Sequence, residues 1–275
     1  MIKDILAIVE DGDAGARFLK TVAALAKKHD AFLEVAALTP APMVSPAVAP
    51  FGSLYVPEVV LMGSDEANVE SVRGHLAETG CEHSVTGLHD DLAWLAGDLR
   101  RTRQVADLIV VGDAESWPTP WLRTRVLETL IRTAGTPVVI LPEGRTLPEI
   151  RHAVLGWKPS PEANRAMHDL VHLAEPGATI DVVTVGMDLG DCEKEKDTHA
   201  EIKRHLARHG FRAEGHWIVN DKQIEAETLT LYAQEIDADI LVIGGFAHWR
   251  IRDIVLGGVT RDLVHRADLP VLISR

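Results

Sequence analysis

The stretch Ala106-Asp-Leu-Ile-Val-Val-Gly-Asp113 returns as Ala238-Asp-Ile-Leu-Val-Ile-Gly-Gly245, and each copy is followed about thirty residues later by a proline-led apolar run. Those runs are Thr136-Pro-Val-Val-Ile-Leu-Pro142 and Leu269-Pro-Val-Leu-Ile-Ser274. Two markers recurring in one order at nearly one spacing mark an internal duplication. The repeat is too long for a solenoid unit. Each half is therefore expected to be a domain with its own core, residues 1–146 and 147–275. The length of 275 residues allows two such cores. The join is expected at Pro142-Glu-Gly-Arg-Thr-Leu-Pro-Glu149, where turn formers and charge interrupt the apolar pattern.

Working outward from the repeats, Asp4 to Glu10 reads as a buried strand, and Ala14, Phe18, Val22 and Leu25 follow at helical spacing. Further strands are expected at Phe32–Leu38, Cys81–Leu88, Leu108–Gly112 and Pro137–Leu141. Helices are expected near Glu66–Glu78, Asp90–Thr102 and Leu122–Thr133. The second half repeats the order with strands near His152–Trp157, Thr179–Val185, Arg212–Val219, Ile240–Ile243 and Val271–Ser274. Its first helix has a legible start, with Ser160 as N-cap and Pro161 at the first helical position. Strands that read as continuous Val, Ile and Leu runs and alternate with helices belong to parallel sheets covered on both faces. Each half is thus a five-stranded, doubly wound α/β layer, with its ligand crevice at the carboxyl ends of strands beside the switch point.

A formal net charge of −13 gives no electrostatic footprint for a nucleic-acid backbone or an anionic membrane. The first residues read as a strand, not a signal peptide, and no apolar run reaches the roughly 20 residues of a bilayer span. A soluble, cytoplasmic protein is expected. Cys81 and Cys192 stand in unrelated contexts, which argues against a disulfide framework or a cysteine-rich zinc site.

The most specific segment is Ile243-Gly-Gly-Phe-Ala-His-Trp-Arg-Ile-Arg-Asp-Ile-Val-Leu-Gly-Gly-Val-Thr260, which follows a buried strand. It resembles the universal stress protein family, whose pattern here is Gly, two residues, Gly, nine residues, Gly, then Ser or Thr. Gly244 matches the first glycine, Arg250 and Arg252 the basic positions, and Leu256-Gly257 the third glycine. Trp157-Lys-Pro-Ser-Pro-Glu-Ala163 looks like the family's first strand-to-helix turn, and the Pro-Val-Leu-Ile ending is typical. The resemblance implies two tandem flavodoxin-like (adenine nucleotide alpha hydrolase-like) domains, paired through their last strands, Val138 to Leu141 with Val271 to Ile273, as a pseudo-dimer within one chain. A homodimer of the whole chain is a further candidate.

For intact members the resemblance implies ATP, held where glycines let backbone amides approach phosphate oxygens at a helix N-terminus. The implied contact residues are Trp157, Lys158, Gly244, Gly245, Ala247, His248, Arg250, Arg252, Gly257, Gly258 and Val259. No metal is expected beyond magnesium accompanying a nucleotide. Several positions depart from the pattern. Ala247 replaces the second glycine, Gly258 stands where the family has Ser or Thr, and Lys158 stands where an acid contacts adenine. The first half departs further, reading Asp-Ala-Glu-Ser-Trp-Pro-Thr-Pro-Trp121 after Gly112, so Asp113 and Glu115 would repel phosphate, while Glu10, Asp11 and Gly12 keep an acid-glycine turn.

His168 and His172 stand four apart, as do His205 and His209, but no third metal ligand is marked. Trp117, Trp121 and Trp249 could stack on a base or simply pack, and Pro40 to Phe51 reads as a rigid surface loop, a cover for a hydrophobic ligand or a docking segment for a partner. No nucleophile elbow or paired catalytic carboxylates occur, and Cys81 beside His83 has no orienting acid. The expected function is a non-enzymatic stress-response or regulatory protein that binds a nucleotide in its second half. Two alternatives stay open: a scaffold that has lost the nucleotide and acts through protein association, and a weak ATPase.

Overall fold

The computed structural model describes residues 2–40, 58–90, 95, 105–186, 190, 196–219, 225–245 and 268–275, with backbone only at 58–63 and 196. Its contacts separate two compact units, Lys3–Thr129 and a second comprising Met1–Ile2 and Leu130–Arg275.

In the first unit β1 (Asp4–Val9) leads to α1 (Ala16–His29), β2 (Phe32–Pro40), α2 (Glu58–Ala77), β3 (His83–Asp90) and β4 (Leu108–Val111), and the unit ends within α3 (Pro120–Thr133). The strand order β3-β2-β1-β4 is parallel throughout. From β1 to β3 the chain steps outward one way, and β4 then returns to the far side of β1. The switch point therefore lies between β1 and β4. The stripe Phe18, Val22 and Leu25 is buried on α1, whereas Ala14 precedes the helix. Helix α2 begins at Glu58, a full two turns before the expected Glu66. Most of the helix expected over Asp90–Thr102, and most of the Pro40 to Phe51 loop, lie outside the described residues.

The second unit holds β5 (Val138–Ile140), β6 (His152–Gly156), α4 (Pro161–Leu173), β7 (Thr179–Gly186), α5 (Lys196–Arg208), β8 (Arg212–Val219), α6 (Glu225–Glu235), β9 (Ile240–Gly244) and β10 (Val271–Ser274). Its order is β5-β10-β9-β6-β7-β8, parallel except for the antiparallel pair β5 and β10. The expected pairing of the two proline-led runs is present, with Val271 opposite Ile140, Leu272 opposite Val139 and Ile273 opposite Val138. All six residues of those pairs are buried, which explains why both strands are wholly apolar over these positions. Neighbouring residues of β9 point to opposite faces. Gly244 lies against the first turn of α4, and Ile243 shares its face with Gly156 and Leu229 of α6. Helices thus cover both faces of this sheet, as its near-continuous apolar strands require.

The repeated Ala-Asp that opens each copy of the duplicated stretch has a structural purpose. Asp107 Oδ2 accepts the amides of Lys3 at 2.7 Å and Asp4 at 3.1 Å, and the Asp107 amide donates to the Asp4 carbonyl. In the second unit Asp239 Oδ2 accepts the amides of Arg151 and His152, both at 2.8 Å, and its own amide returns to the His152 carbonyl. Each carboxylate clamps the start of the strand that must lie beside its own, fixing the register at the centre of the sheet. Asp239→Ala should therefore lower the unfolding free energy by about 1–2 kcal/mol through the loss of two charge-assisted bonds, read from urea unfolding.

Candidate functional site

The switch point of the second unit lies between β6 and β9, where Gly156 and Ile243 are register partners. Immediately beyond them the chain brings Trp157 and Lys158 together with Gly244 and Gly245. Of the expected contact residues, Ala247, His248, Arg250, Arg252, Gly257, Gly258 and Val259 lie outside the described residues, as does Trp249.

The turn after β6 is held by its neighbours. The Trp157 amide donates to the Val183 carbonyl at 2.8 Å, and the Thr184 hydroxyl donates to the Trp157 carbonyl at 2.9 Å. That hydroxyl has given its only proton, so the ring of His199 at 2.8 Å must donate to it from Nε2. His199 Nδ1 is then a buried, unprotonated nitrogen without a partner among the described residues, set against Gly215, and the ring stacks on Trp217 at 4.4 Å. Helix α4 begins where expected. Ser160 Oγ accepts the Ala163 amide at 3.0 Å, and Pro161 opens the first turn. Lys158 extends outward, its ammonium 3.4 Å from Glu225 with both side chains partly exposed, a pairing that holds it weakly. The Trp157 indole Nε1 is buried and has no acceptor among the described residues.

Gly244 is fixed by space. A Cβ there would stand 2.4 Å from the Ala163 amide nitrogen, and a backbone atom cannot swing aside. At Gly245 the obstacle is Ile131, 2.8 Å away, and its amide donates to the Ser274 carbonyl at 2.7 Å.

The corresponding place in the first unit is already full. Beyond β1, the buried carboxylate of Glu10 accepts the Thr119 amide at 2.7 Å, at the amino end of α3. That is where a helix dipole would otherwise draw a phosphate. Asp113 Oδ1 accepts the amides of Glu115 and Ser116 at 2.7 and 3.0 Å. Arg123, buried with its Nε on the Gly112 carbonyl at 3.0 Å, has its guanidinium pushed down to about 10 by that burial, with Asp113 acting the other way. Asp11 Oδ1 receives the amides of Asp13 and Ala14, and the Gly12 amide goes to Asn68. The carboxylates of Asp113 and Glu10 thus hold the amides of Glu115, Ser116 and Thr119. Trp117 is buried and Trp121 half exposed, with Arg125 5.8 Å from its ring centre.

The two helical histidine pairs meet each other. His168 of α4 and His205 of α5 are in edge contact at 5.2 Å, and His205 lies 4.7 Å from His209. Burial first, then the neighbouring charges of His209, His168 and Arg208, hold the His205 imidazole below its ordinary range. His172 uses Nδ1 on the His168 carbonyl at 2.7 Å. Cys81 is buried, its thiol pushed up by that burial and directed at the Glu82 carbonyl, while His83 bonds the Cys81 carbonyl. A cluster the sequence did not single out gathers Asp181, Glu214 and His216 on adjacent strands. A cleft of about 790 Å³ opens elsewhere, at the amino ends of β9 and β10, beside Asp237, Asp239 and Asp268. Ligands of such sheets bind at the opposite ends of the strands.

The family model described as universal stress protein family matches residues 149–275. Those residues belong to the universal stress protein family. Universal stress protein Slr1230 of Synechocystis sp. is 24% identical over 150 residues, 54% of this chain and 50% of that protein. Universal stress protein MJ0577 of Methanocaldococcus jannaschii is 26% identical over 83 residues, 30% and 49% respectively. The chain spans about half the length of the curated relatives it matches. The crystal structure of a universal stress protein from Archaeoglobus fulgidus superimposes with a TM-score of 0.69 at 13% identity, covering 99% of this chain and 98% of that one. The cytoplasmic domain of a prokaryotic cation chloride cotransporter gives 0.51 at 10% identity over 100% and 95%. Both show the same fold along the whole chain. Among the described residues no helix is long and apolar enough to cross a membrane.

Two outcomes follow for this universal stress protein domain. Gly244→Ala should destabilise it by roughly 1–3 kcal/mol by forcing α4 off β9, measured by denaturant unfolding. The second concerns pH. Burial, with His216 and Lys203 next, pushes the His199 imidazole down to about 4 from 6.5. Between those values the unfolded chain binds more protons than the folded one, so stability rises with pH and is lost on acidification through that window. His199→Gln should flatten this slope in urea titrations taken stepwise between those two pH values.

Proposed function

We propose that the chain is a non-enzymatic regulatory protein of the stress-response class, acting in the cytoplasm, whose second half binds an adenine nucleotide. The first half serves as a structural partner. The observation that carries this reading is the reversed charge at two equivalent turns. After β1 the chain presents Glu10 and Asp11, with the amides of the following loop already taken by Glu10 and Asp113. After β6 it presents Trp157 and Lys158, an indole donor with no acceptor among the described residues and an ammonium weakly paired to Glu225. Anion affinity therefore belongs to the second half. The glycines and arginines of the 244–258 segment add backbone amides and guanidinium forks suited to phosphate.

The self-filled first half favours a scaffold role for that half, and the strand pair β5 and β10 gives the two copies of the repeat a shared element. A scaffold with no nucleotide at all is the competing reading. Calorimetry with ATP and ADP, with and without magnesium, separates the two. Micromolar binding at one site per chain is expected, weakened about tenfold or more in Lys158→Glu and abolished in Gly257→Val, while Asp113→Asn leaves it unchanged. No heat at millimolar ATP would establish the scaffold reading instead.

A further inference from the structure

The register of the second sheet places four polar side chains on one face. Val154, Asp181 and Glu214 are consecutive partners across β6, β7 and β8, as are His152 and Thr179, and Val183 and His216. Side chains two apart along a strand share a face. His152, Asp181, Glu214 and His216 therefore rise together, on the side where Tyr232 of α6 lies 5.3 Å from the His216 ring. Helix α5 covers the other side, through His199 against Gly215 and Trp217.

Two features set this cluster apart from an ordinary buried ion pair. Asp181 is only 6% exposed and faces Glu214 directly across the strands, an arrangement of like charges that disfavours pairing. Its carboxylate is also approached from both sides through the same imidazole atom, His152 Nε2 at 2.9 Å from Oδ2 and His216 Nε2 at 3.1 Å from Oδ1. Ligand atoms of Asp181, Glu214 and His216 all lie within 4.8 Å of one another. Bonds of roughly 2.0–2.1 Å in tetrahedral geometry put ligand atoms about 3.3 Å apart. The separation of Asp181 and His216 is thus already that of two ligands on one ion. One imidazole nitrogen and two carboxylates form a donor set that zinc accepts, with their two negative charges matching the ion's two positive ones.

We propose that Asp181, Glu214 and His216 bind one zinc ion on the α6 face of the second sheet, with His152 holding the other oxygen of Asp181 in place. Three protein ligands leave one position for water. The ligands sit on β7 and β8, whose hydrogen-bonded register fixes their spacing, and His152 is itself fixed by the Asp239 clamp. The site stands apart from the crevice after β6 and β9, so it does not depend on nucleotide binding.

The test uses the full chain, stripped with a chelator and titrated with zinc by calorimetry, with cobalt(II) as a visible-absorption probe of ligand geometry. One equivalent of zinc per chain is expected, together with the cobalt bands of a four-coordinate site and a higher unfolding temperature with zinc present. Glu214 is exposed and His216 partly so, and Glu214→Gln and His216→Ala should each keep the fold by circular dichroism while weakening zinc at least about tenfold. The double variant His168→Gln, His205→Gln should retain full binding. Absence of stoichiometric zinc would overturn the proposal, as would binding that survives in the Glu214 and His216 variants or disappears in the His168 and His205 variant.

Discussion

The carboxylate of Asp239, reaching across to the amides of Arg151 and His152, sets the strand order on which everything else in the second unit depends. A parallel pair has no hairpin to align it, so register must come from elsewhere. Hydrophobic matching alone is a weak guide here because β6 and β9 are buried on both faces and present apolar groups either way. A residue slip that an amphipathic strand would resist strongly meets less resistance in such strands. One acceptor shared by two adjacent amides removes that ambiguity, and Asp107 does the same for Lys3 and Asp4. Both halves carry the clamp, which gives the repeated Ala-Asp its structural cause.

With the central strands aligned, the turns after β1 and β6 come at equivalent places in the two units and then diverge in their polar contacts. In the first unit these groups are satisfied internally: Glu10 on the Thr119 amide, Asp113 on two more, and a buried Arg123 on the Gly112 carbonyl. Satisfying those amides stabilises the loop without any ligand. In the second unit a chain of hydrogen bonds from His199 through Thr184 holds the Trp157 carbonyl, and Lys158 reaches outward to a weak pairing with Glu225.

Much of this architecture was legible in the sequence for physical reasons that can be named. Continuous Val, Ile and Leu runs mark strands buried on both faces, and the structure places strands at every expected position, with boundaries shifted by a residue or two. The Ser160-Pro161 start is a local signal and was readable as such. Helix α2 was harder, since residues 58–65 mix apolar and small residues without helical periodicity. Gly244 could be read as a phosphate-loop glycine from its motif, whereas its contact with Ala163 belongs to the packing of α4 and is invisible to spacing. The same limit hid the meeting of His168 with His205, which stand 37 residues apart in the chain and become neighbours only when two helices dock.

The cluster around Asp181 shows where sequence reading must stop and topology takes over. Glu214 and His216 are two apart on β8, a spacing so common in strands that it marks nothing by itself. Only the order β6-β7-β8 makes Asp181 the residue between them and His152. A buried carboxylate costs several kcal/mol unless compensated, and Asp181 receives two imidazoles in return. The carboxylates of Asp181 and Glu214 still stand side by side across β7 and β8, and a divalent cation shared between them is the further compensation that the proposed site supplies. The register of β7 and β8 is what brings the donor atoms of Asp181, Glu214 and His216 within 4.8 Å of one another.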